Sequence, residues 1–314
     1  MRFAHKQIAY INKLGVDTKT FMFDAGTNLY RAWIRAWELR RLIQEYRPDI
    51  IHAQYGSLTA FVCAVTSRVP LVINYGGSDL NSTYKTDGLW RSTSQVILSH
   101  LAALRASTII CVSRDLKNKL RWRNNIAVVI PRPVDLNLFK PMSRTEARKH
   151  LGWIDNERIV LFNANNNPKA KGLELAEASI EVIKKNMDHV RFEILRKPGG
   201  KDTPSEDIPY YLNAADCLLV TSPTEGSPNI VKEALACNLP IVSVNVGDVS
   251  ERLHGVQPSR IVPRDITAIG LAITEIILSG QRSNGREHVS GLSPDRLNTC
   301  TLEIYRSILE RNKL

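Results

Sequence analysis

No run of apolar residues in this sequence reaches the ~18 that a membrane-spanning helix needs. The longest candidate, 95–113, is broken by His100 and Arg105. Cysteine is scarce: five residues, at 63, 111, 217, 237 and 300, with no CxxC pair among them. Residues 1–20 alternate polar and apolar side chains and present no secretory signal, so an odd, sparse set of thiols points to reduced cysteines in a cytoplasm. No cluster of His, Asp and Glu has metal-ligand spacing, so no metal is expected. Glycine and proline, 17 and 15 of 314, are not in excess, which excludes collagen and low complexity. A composition of 43% hydrophobic and 23% charged residues is ordinary for a globular chain and excludes disorder.

What is present begins with charge. The formal net charge is +11, but residues 1–150 hold 23 Lys and Arg against 10 Asp and Glu, a balance of +13, while 151–314 come to −2. A one-sided basic field favours a polyanionic partner, either nucleic acid or an anionic membrane face, or is a solvated basic lobe. Along the chain, short apolar runs alternate with longer segments of 3.6-residue period. Strands are expected at 18–23, 49–53, 71–74, 107–112 and 127–130, then at 158–163, 190–195, 217–221, 240–244 and 260–262. Amphipathic helices lie between them, among them 28–46, 88–106, 172–186 and 229–236. This is an α/β pattern of parallel sheets covered by helices on both faces. Ten strands would make one large sheet. The stretch Pro131–Pro141 holds three prolines and no helical period, and divides the series into two Rossmann-like domains, 1–141 and 142–295. Ligands of open parallel sheets sit beyond the carboxyl ends of the strands, so the residues just after each strand are the site candidates.

The strand at 217–221 is followed by Ser-Pro-Thr-Glu225-Gly-Ser-Pro-Asn-Ile-Val-Lys-Glu233-Ala-Leu-Ala. Pro228 suits the start of a helix, whose first N–H groups form an anion site, and Gly226 lets a ligand approach the backbone. Were Glu225 and Glu233 both helical, eight positions would separate them by ~12 Å along the axis and ~80° around it. They would not flank one bond, which excludes a glycosidase acid/base pair. They suit hydrogen-bond acceptors at two ends of an elongated ligand with an anion between them, as in a nucleotide sugar. The plain alternative is two solvated glutamates on a surface helix.

The stretch EGSPNIVKEALACNLPIVSVNVGDVSE resembles the signature of family 4 glycosyltransferases, which have the GT-B fold. The family pattern is Glu-x7-Glu, a helix of small residues, a proline, a strand and a glycine-containing turn ending in glutamate. Here these are Glu225, Glu233, Pro240, Gly247 and Glu251. Three upstream stretches match family landmarks in order: PDIIHAQYG from Pro48, Tyr75-Gly-Gly-Ser-Asp79, and IPRPVDLNLFKP from Ile130 to Pro141. The resemblance covers most of the chain. It implies two Rossmann-like domains facing across a cleft, with a final helix within 296–314 crossing back to the first. It also implies transfer of a sugar from a nucleotide-sugar donor with retention of anomeric configuration, without metal or other cofactor.

Carried over residue by residue, Glu233 matches the glutamate that binds the ribose hydroxyls, and Glu225 the one that contacts hydroxyls of the transferred sugar. The backbone from Ser227 through Pro228 and Asn229 to Ile230 would hold the diphosphate and sugar through its N–H groups, Pro228 excepted. LFNANNNPKAKG, 161–172, resembles the family's Gly-Arg-Leu…Lys-Gly loop. Lys171 matches the diphosphate lysine and, with Glu225, is the candidate catalytic residue. The loop's arginine is replaced: with a one-residue insertion Asn165 falls there, and Lys169 is a candidate substitute cation. On the acceptor side the Tyr75–Asp79 turn carries Gly76 where many members have a His. His52 matches a His common in the family, with packing under the sheet as the competing reading.

The family's opening strand and Gly-rich loop have no counterpart in KQIAYINKLGVDTKTFMF, which resembles the first helix and second strand. The first domain is therefore expected to lack its opening strand, as in a truncated fragment. The segment 31–47 pairs Trp33 and Trp37 with five Arg, and more basic residues follow at 114, 117, 119, 121 and 123. Basic helices carrying tryptophan lie on anionic membranes. A lipid-linked or glycan acceptor at the inner membrane face fits, whereas no nucleic-acid recognition motif accompanies the charge. The first reading is a retaining glycosyltransferase of surface-polysaccharide biosynthesis. Alternatives are an inactive nucleotide-sugar-binding paralogue and, ranked below, a sugar-nucleotide epimerase of the same architecture.

Overall fold

The computed structural model describes residues 2–24, 29–81, 89–165, 167–195 and 203–312. The chain forms two compact units, Met1–Arg132 with Pro294–Leu314, and Pro133–Ser293. The stretch 133–141, read from the sequence as a linker, packs with the second unit. Val134 and Phe139 are buried there, and Arg286 donates to the carbonyls of Leu136 and Phe139 at 2.9 and 2.8 Å.

In the first unit, α1 (Arg2–Lys13) and α2 (Leu29–Tyr46) precede four parallel strands ordered β1-β2-β3-β4. These are β1 (Ile51–Ala53), β2 (Leu71–Tyr75), β3 (Thr108–Cys111) and β4 (Ala127–Val129). Helices α3 (Ser57–Thr66), α4 (Leu89–Arg105) and α5 (Arg114–Asn118) connect them. Every residue of β2 and β3 is buried, as continuous apolar runs covered on both faces require. One face of the sheet, with Leu71, Ile73 and Ile109, packs against Leu39 of α2, Val62 of α3 and Ala102 and Ala103 of α4. The other face, with Val72 and Ile110, packs against Ile304, Tyr305 and Ile308 of the last helix, Pro294–Arg311.

The strand expected at 18–23 does not form. Phe21 and Phe23 turn toward the core and Met22 outward, so the period-two pattern is real. No ladder joins the segment to the sheet among the described residues. Its contacts run instead to α2, where the Arg35 guanidinium donates to the Met22 carbonyl and lies 4.4 Å from the Phe21 ring centroid. Asn28 and Gly88, where two helices are expected to begin, lie outside the described residues.

The second unit carries α6 (Arg144–Leu151), then β5 (Arg158–Asn163), α7 (Pro168–Lys171), α8 (Leu173–Lys184) and β6 (Val190–Leu195). Next come α9 (Ile208–Ala214), β7 (Cys217–Val220), α10 (Asn229–Ala236), β8 (Ile241–Val244) and α11 (Val249–Leu253). It ends with β9 (Arg260–Val262), α12 (Ile266–Ser279) and α13 (Gly285–Val289). The five strands are parallel in the order β6-β5-β7-β8-β9. The chain moves outward from β5 to β6 and then returns to the other side of β5 with β7. The connections leaving β5 and β7 therefore diverge, which makes a crevice at their carboxyl ends. Among the described residues no helix is long and apolar enough to cross a membrane.

Candidate functional site

The crevice of the second unit is lined by the loops after β5 and β7, and these carry the residues singled out in the sequence. The first loop bends at Asn165, whose φ of 46° is left-handed, and its N–H donates to Asn163 Oδ1 at 3.1 Å. Asparagine adopts that region more readily than most residues. Asn166 lies outside the described residues. Asn167 caps the single turn of α7, and Lys169 is exposed on it. Lys171 ends the turn and Gly172 reverses the chain at φ 74°. Any Cβ at Gly172 would fall 2.3 Å from the Thr221 carbonyl, so only glycine lets the two loops touch. Thr221 Oγ1 fastens that contact, reaching the carbonyls of Lys171 and Gly172 at 3.1 and 2.8 Å.

This contact delivers Lys171 to Glu225. The ammonium lies 2.5 Å from Glu225 Oε1, and the buried Ser222 hydroxyl donates to the same oxygen at 2.9 Å. The pair is largely shielded, with side-chain exposures of 22% and 15%. Beyond Glu225, Gly226, Ser227 and Pro228 are buried, Pro228 is the N-cap of α10, and Asn229 is exposed in its first turn. Ile230 is buried, and Glu233, half-buried, stands one turn further along. The arrangement joins a cation, a carboxylate and a helix N-terminus at one strand end, which suits an anionic, hydroxyl-bearing ligand.

Lys232 and Asp248 are what the sequence reading missed, and both engage the side chain of Ser227, which was named only for its main chain. The Ser227 hydroxyl turns inward, accepting from Lys232 Nζ and donating to Asp248 Oδ2, each at 2.8 Å. Its contribution to a ligand is therefore expected through the main chain. A signal was present: in NIVKEALA only Asn229 and Glu233 escape burial, so Lys232 sits on an otherwise apolar surface.

The acceptor-side candidates have a different character. Asp79 is 1% exposed, and its carboxylate accepts from the N–H groups of Gly56, Gly76 and Gly77 at 3.2, 2.9 and 2.8 Å. It thereby ties the end of β1 to the end of β2. Burial raises its pKa despite those three donors. Tyr75 is wholly buried and donates to the Ser99 carbonyl at 2.6 Å. His52 points to the face covered by the last helix, with Nδ1 2.5 Å from the Tyr305 hydroxyl and Nε2 buried without a partner. Desolvation there lowers its pKa to about 4, so the ring is neutral. Gly76 leaves room for Arg132, whose guanidinium would lie 2.6 Å from any Cβ at that position. Sequence reasoning also passed over Arg132.

The family model for Glycosyltransferase Family 4 matches residues 5–138, and that for Glycosyl transferases group 1 matches residues 157–279. Two glycosyltransferase family models thus match successive parts of the chain, each less than half of it, and the chain is similar to family 4 glycosyltransferases. A curated relative, the putative teichuronic acid biosynthesis glycosyltransferase TuaC of Bacillus subtilis, is 28% identical over 247 residues, 72% of this chain and 61% of that protein. A D-inositol 3-phosphate glycosyltransferase of Geodermatophilus obscurus is 24% identical over 215 residues, 58% of this chain and 48% of its own length. The chain thus aligns with less than two thirds of the length of these relatives. Among solved structures, sucrose-phosphate synthase of Thermosynechococcus elongatus superposes with a TM-score of 0.75 at 19% identity, covering 92% of this chain and 81% of its own. Anabaena HepE in complex with UDP and glucose gives 0.69 at 19% identity, with coverages of 96% and 89%. The chain therefore has the GT-B fold.

Proposed function

We propose that the chain is a retaining glycosyltransferase that binds a nucleotide sugar at the carboxyl ends of β5 and β7 and passes the sugar to a glycan or lipid-linked acceptor. The observation that carries this reading is the Lys171–Glu225 pair beside the N-terminus of α10. When the glycosidic bond to the donor breaks, charge grows on the leaving diphosphate. A fixed ammonium and oriented N–H groups stabilise that charge because they are in place before it develops. Glu225, whose Oε1 already takes Lys171 and Ser222, holds the ammonium in position and offers carboxylate oxygen to sugar hydroxyls. Glu233 is assigned to the ribose hydroxyls. Lys169 and Asn165 are assigned to the outer side of the diphosphate, in place of an arginine.

Charge compensation by Lys171 and the helix end leaves no step that needs a metal, so turnover is proposed to be metal-independent. Five free cysteines, four of them buried, favour a reducing compartment such as the cytoplasm. Surface-polysaccharide biosynthesis is proposed by analogy with TuaC, which is named a putative teichuronic acid biosynthesis glycosyltransferase. Peripheral contact with an anionic membrane is proposed through Trp33 and Trp37, 68% and 57% exposed on α2, with Arg40 and Arg41 exposed on the same helix. The test is a panel of nucleotide sugars assayed for binding by thermal shift and for donor consumption, with and without EDTA. Binding and turnover that survive EDTA are expected. Turnover restored only by Mg²⁺ or Mn²⁺ would overturn metal independence. Failure of every donor to bind would overturn the function itself.

A further inference from the structure

The loop that leads into α10 is held from two directions. On the β5 side Thr221 is pinned against Gly172. On the β8 side Gly247 has φ 56°, and a Cβ there would fall 2.8 Å from the Gly226 carbonyl. The next residue, Asp248, accepts from the Ser227 hydroxyl, which itself accepts from Lys232. Lys232 and Asp248 are each 1% exposed and Ser227 is 7% exposed. Arg252 Nε lies 3.2 Å from Asp248 Oδ2 but out of hydrogen-bond alignment, and Asp248 Oδ1 is buried without a hydrogen-bond partner. Apolar side chains of similar volume would hold a loop with less desolvation than these charges. A buried polar network instead gives one defined arrangement of the groups it joins. The group it joins here is Ser227, whose own N–H belongs to the turn offered to an anion.

We propose that Lys232, Ser227 and Asp248 are a positioning unit for the diphosphate, with Lys232 the residue that fixes the direction of the 226–229 backbone. The proposal rests on the reading of this crevice as a nucleotide-sugar site. Lys232 lies behind the loop and acts through Ser227, not by touching the ligand. Ser227 is consequently a main-chain ligand only, and loss of either side chain should loosen the grip on phosphate while leaving the grip on the nucleoside.

The experiment measures calorimetric affinity of the full chain for UDP, GDP and ADP and for the matching nucleosides, in wild type, Lys232→Met, Ser227→Ala and the double variant. For whichever diphosphate the wild type binds, each single variant should bind it at least tenfold more weakly, with nucleoside affinity changed less than twofold. Because the two side chains act through one hydroxyl, the double variant should be no weaker than the worse single one. Unchanged diphosphate affinity in a folded variant, equal losses for diphosphate and nucleoside, or multiplicative losses in the double variant would each overturn the unit. Should Lys232→Met fail to fold, Ser227→Ala decides by the same diphosphate-to-nucleoside comparison. A wild type that binds no nucleoside diphosphate overturns the functional reading, and the positioning unit with it, whereas a wild type that binds while the variants match it overturns the positioning unit alone.

Discussion

The carboxyl ends of the two parallel sheets present opposite uses of polar residues. In the first unit the conspicuous groups are consumed internally: Asp79 by three backbone N–H groups, Tyr75 by Ser99, His52 by Tyr305. In the second unit a buried layer of Ser227, Lys232 and Asp248 supports an outer layer of Lys171, Glu225 and Glu233 that keeps partial access to solvent. Strand order accounts for part of the difference. The first sheet runs β1-β2-β3-β4 without reversal among the described residues, whereas the second reverses at β5 and β7 and opens a crevice there. The same residue types thus serve as internal fasteners where successive connections run the same way and keep partial access to solvent where they diverge.

Substitutions can break that comparison. The largest effect is expected for Asp79→Ala, which leaves three N–H groups, two of them buried, without their acceptor and should lower unfolding free energy on the order of 3–5 kcal/mol. Denaturant melts of the variant measure it, and a loss of transfer with intact stability would place Asp79 among the ligand-binding groups instead. Lys171→Met should behave in the opposite way. Transfer should fall by about 10²–10³ through loss of one preorganised charge donor, while the melting midpoint stays near that of the wild type. Glu233→Ala should weaken nucleotide binding by about 1.5–3 kcal/mol, the range for a hydrogen bond to a charged group. Unchanged affinity in calorimetry on the folded variant would remove the ribose assignment.

The smallest effect concerns pH. The folded chain keeps His52 neutral down to about pH 4, whereas the unfolded chain takes up the proton near 6.5. The unfolded state therefore binds more protons between those values. Stability is complete above about 6.5 and falls as pH drops through the window, on the order of 1–2 kcal/mol at pH 5. His52→Leu should flatten that part of the stability profile. A profile unchanged by the substitution would mean that His52 is not the group being titrated.

Much of this was legible in the chain because parallel strands buried on both faces write continuous apolar runs. The run at 158–163 was read with its observed ends, as were the half-buried edge strands 190–195 and 260–262 and the helix α10. The segment 18–23 failed because alternation reports which side chains face a core, not whether a neighbouring backbone supplies a ladder. For His52 and Asp79, identity and position suggested sites, but exposure depends on which helix covers the sheet and which loops meet. Lys232 was overlooked for the converse reason: a lysine within a helix is read as solvated unless the neighbouring β8 loop is known to bring Asp248 against Ser227.

The sequence by itself determined the α/β class, the placement of the strands and the residues that follow them, since these depend on local period and on chemistry within a few positions. Only the tertiary structure decided which of those residues meet. Lys171 and Glu225 are 54 positions apart, and Ser227 and Asp248 are 21 apart. Each pair is joined because adjacent strands end side by side and glycine lets their loops touch, a condition set by sheet order and backbone approach rather than by the residues of either loop alone.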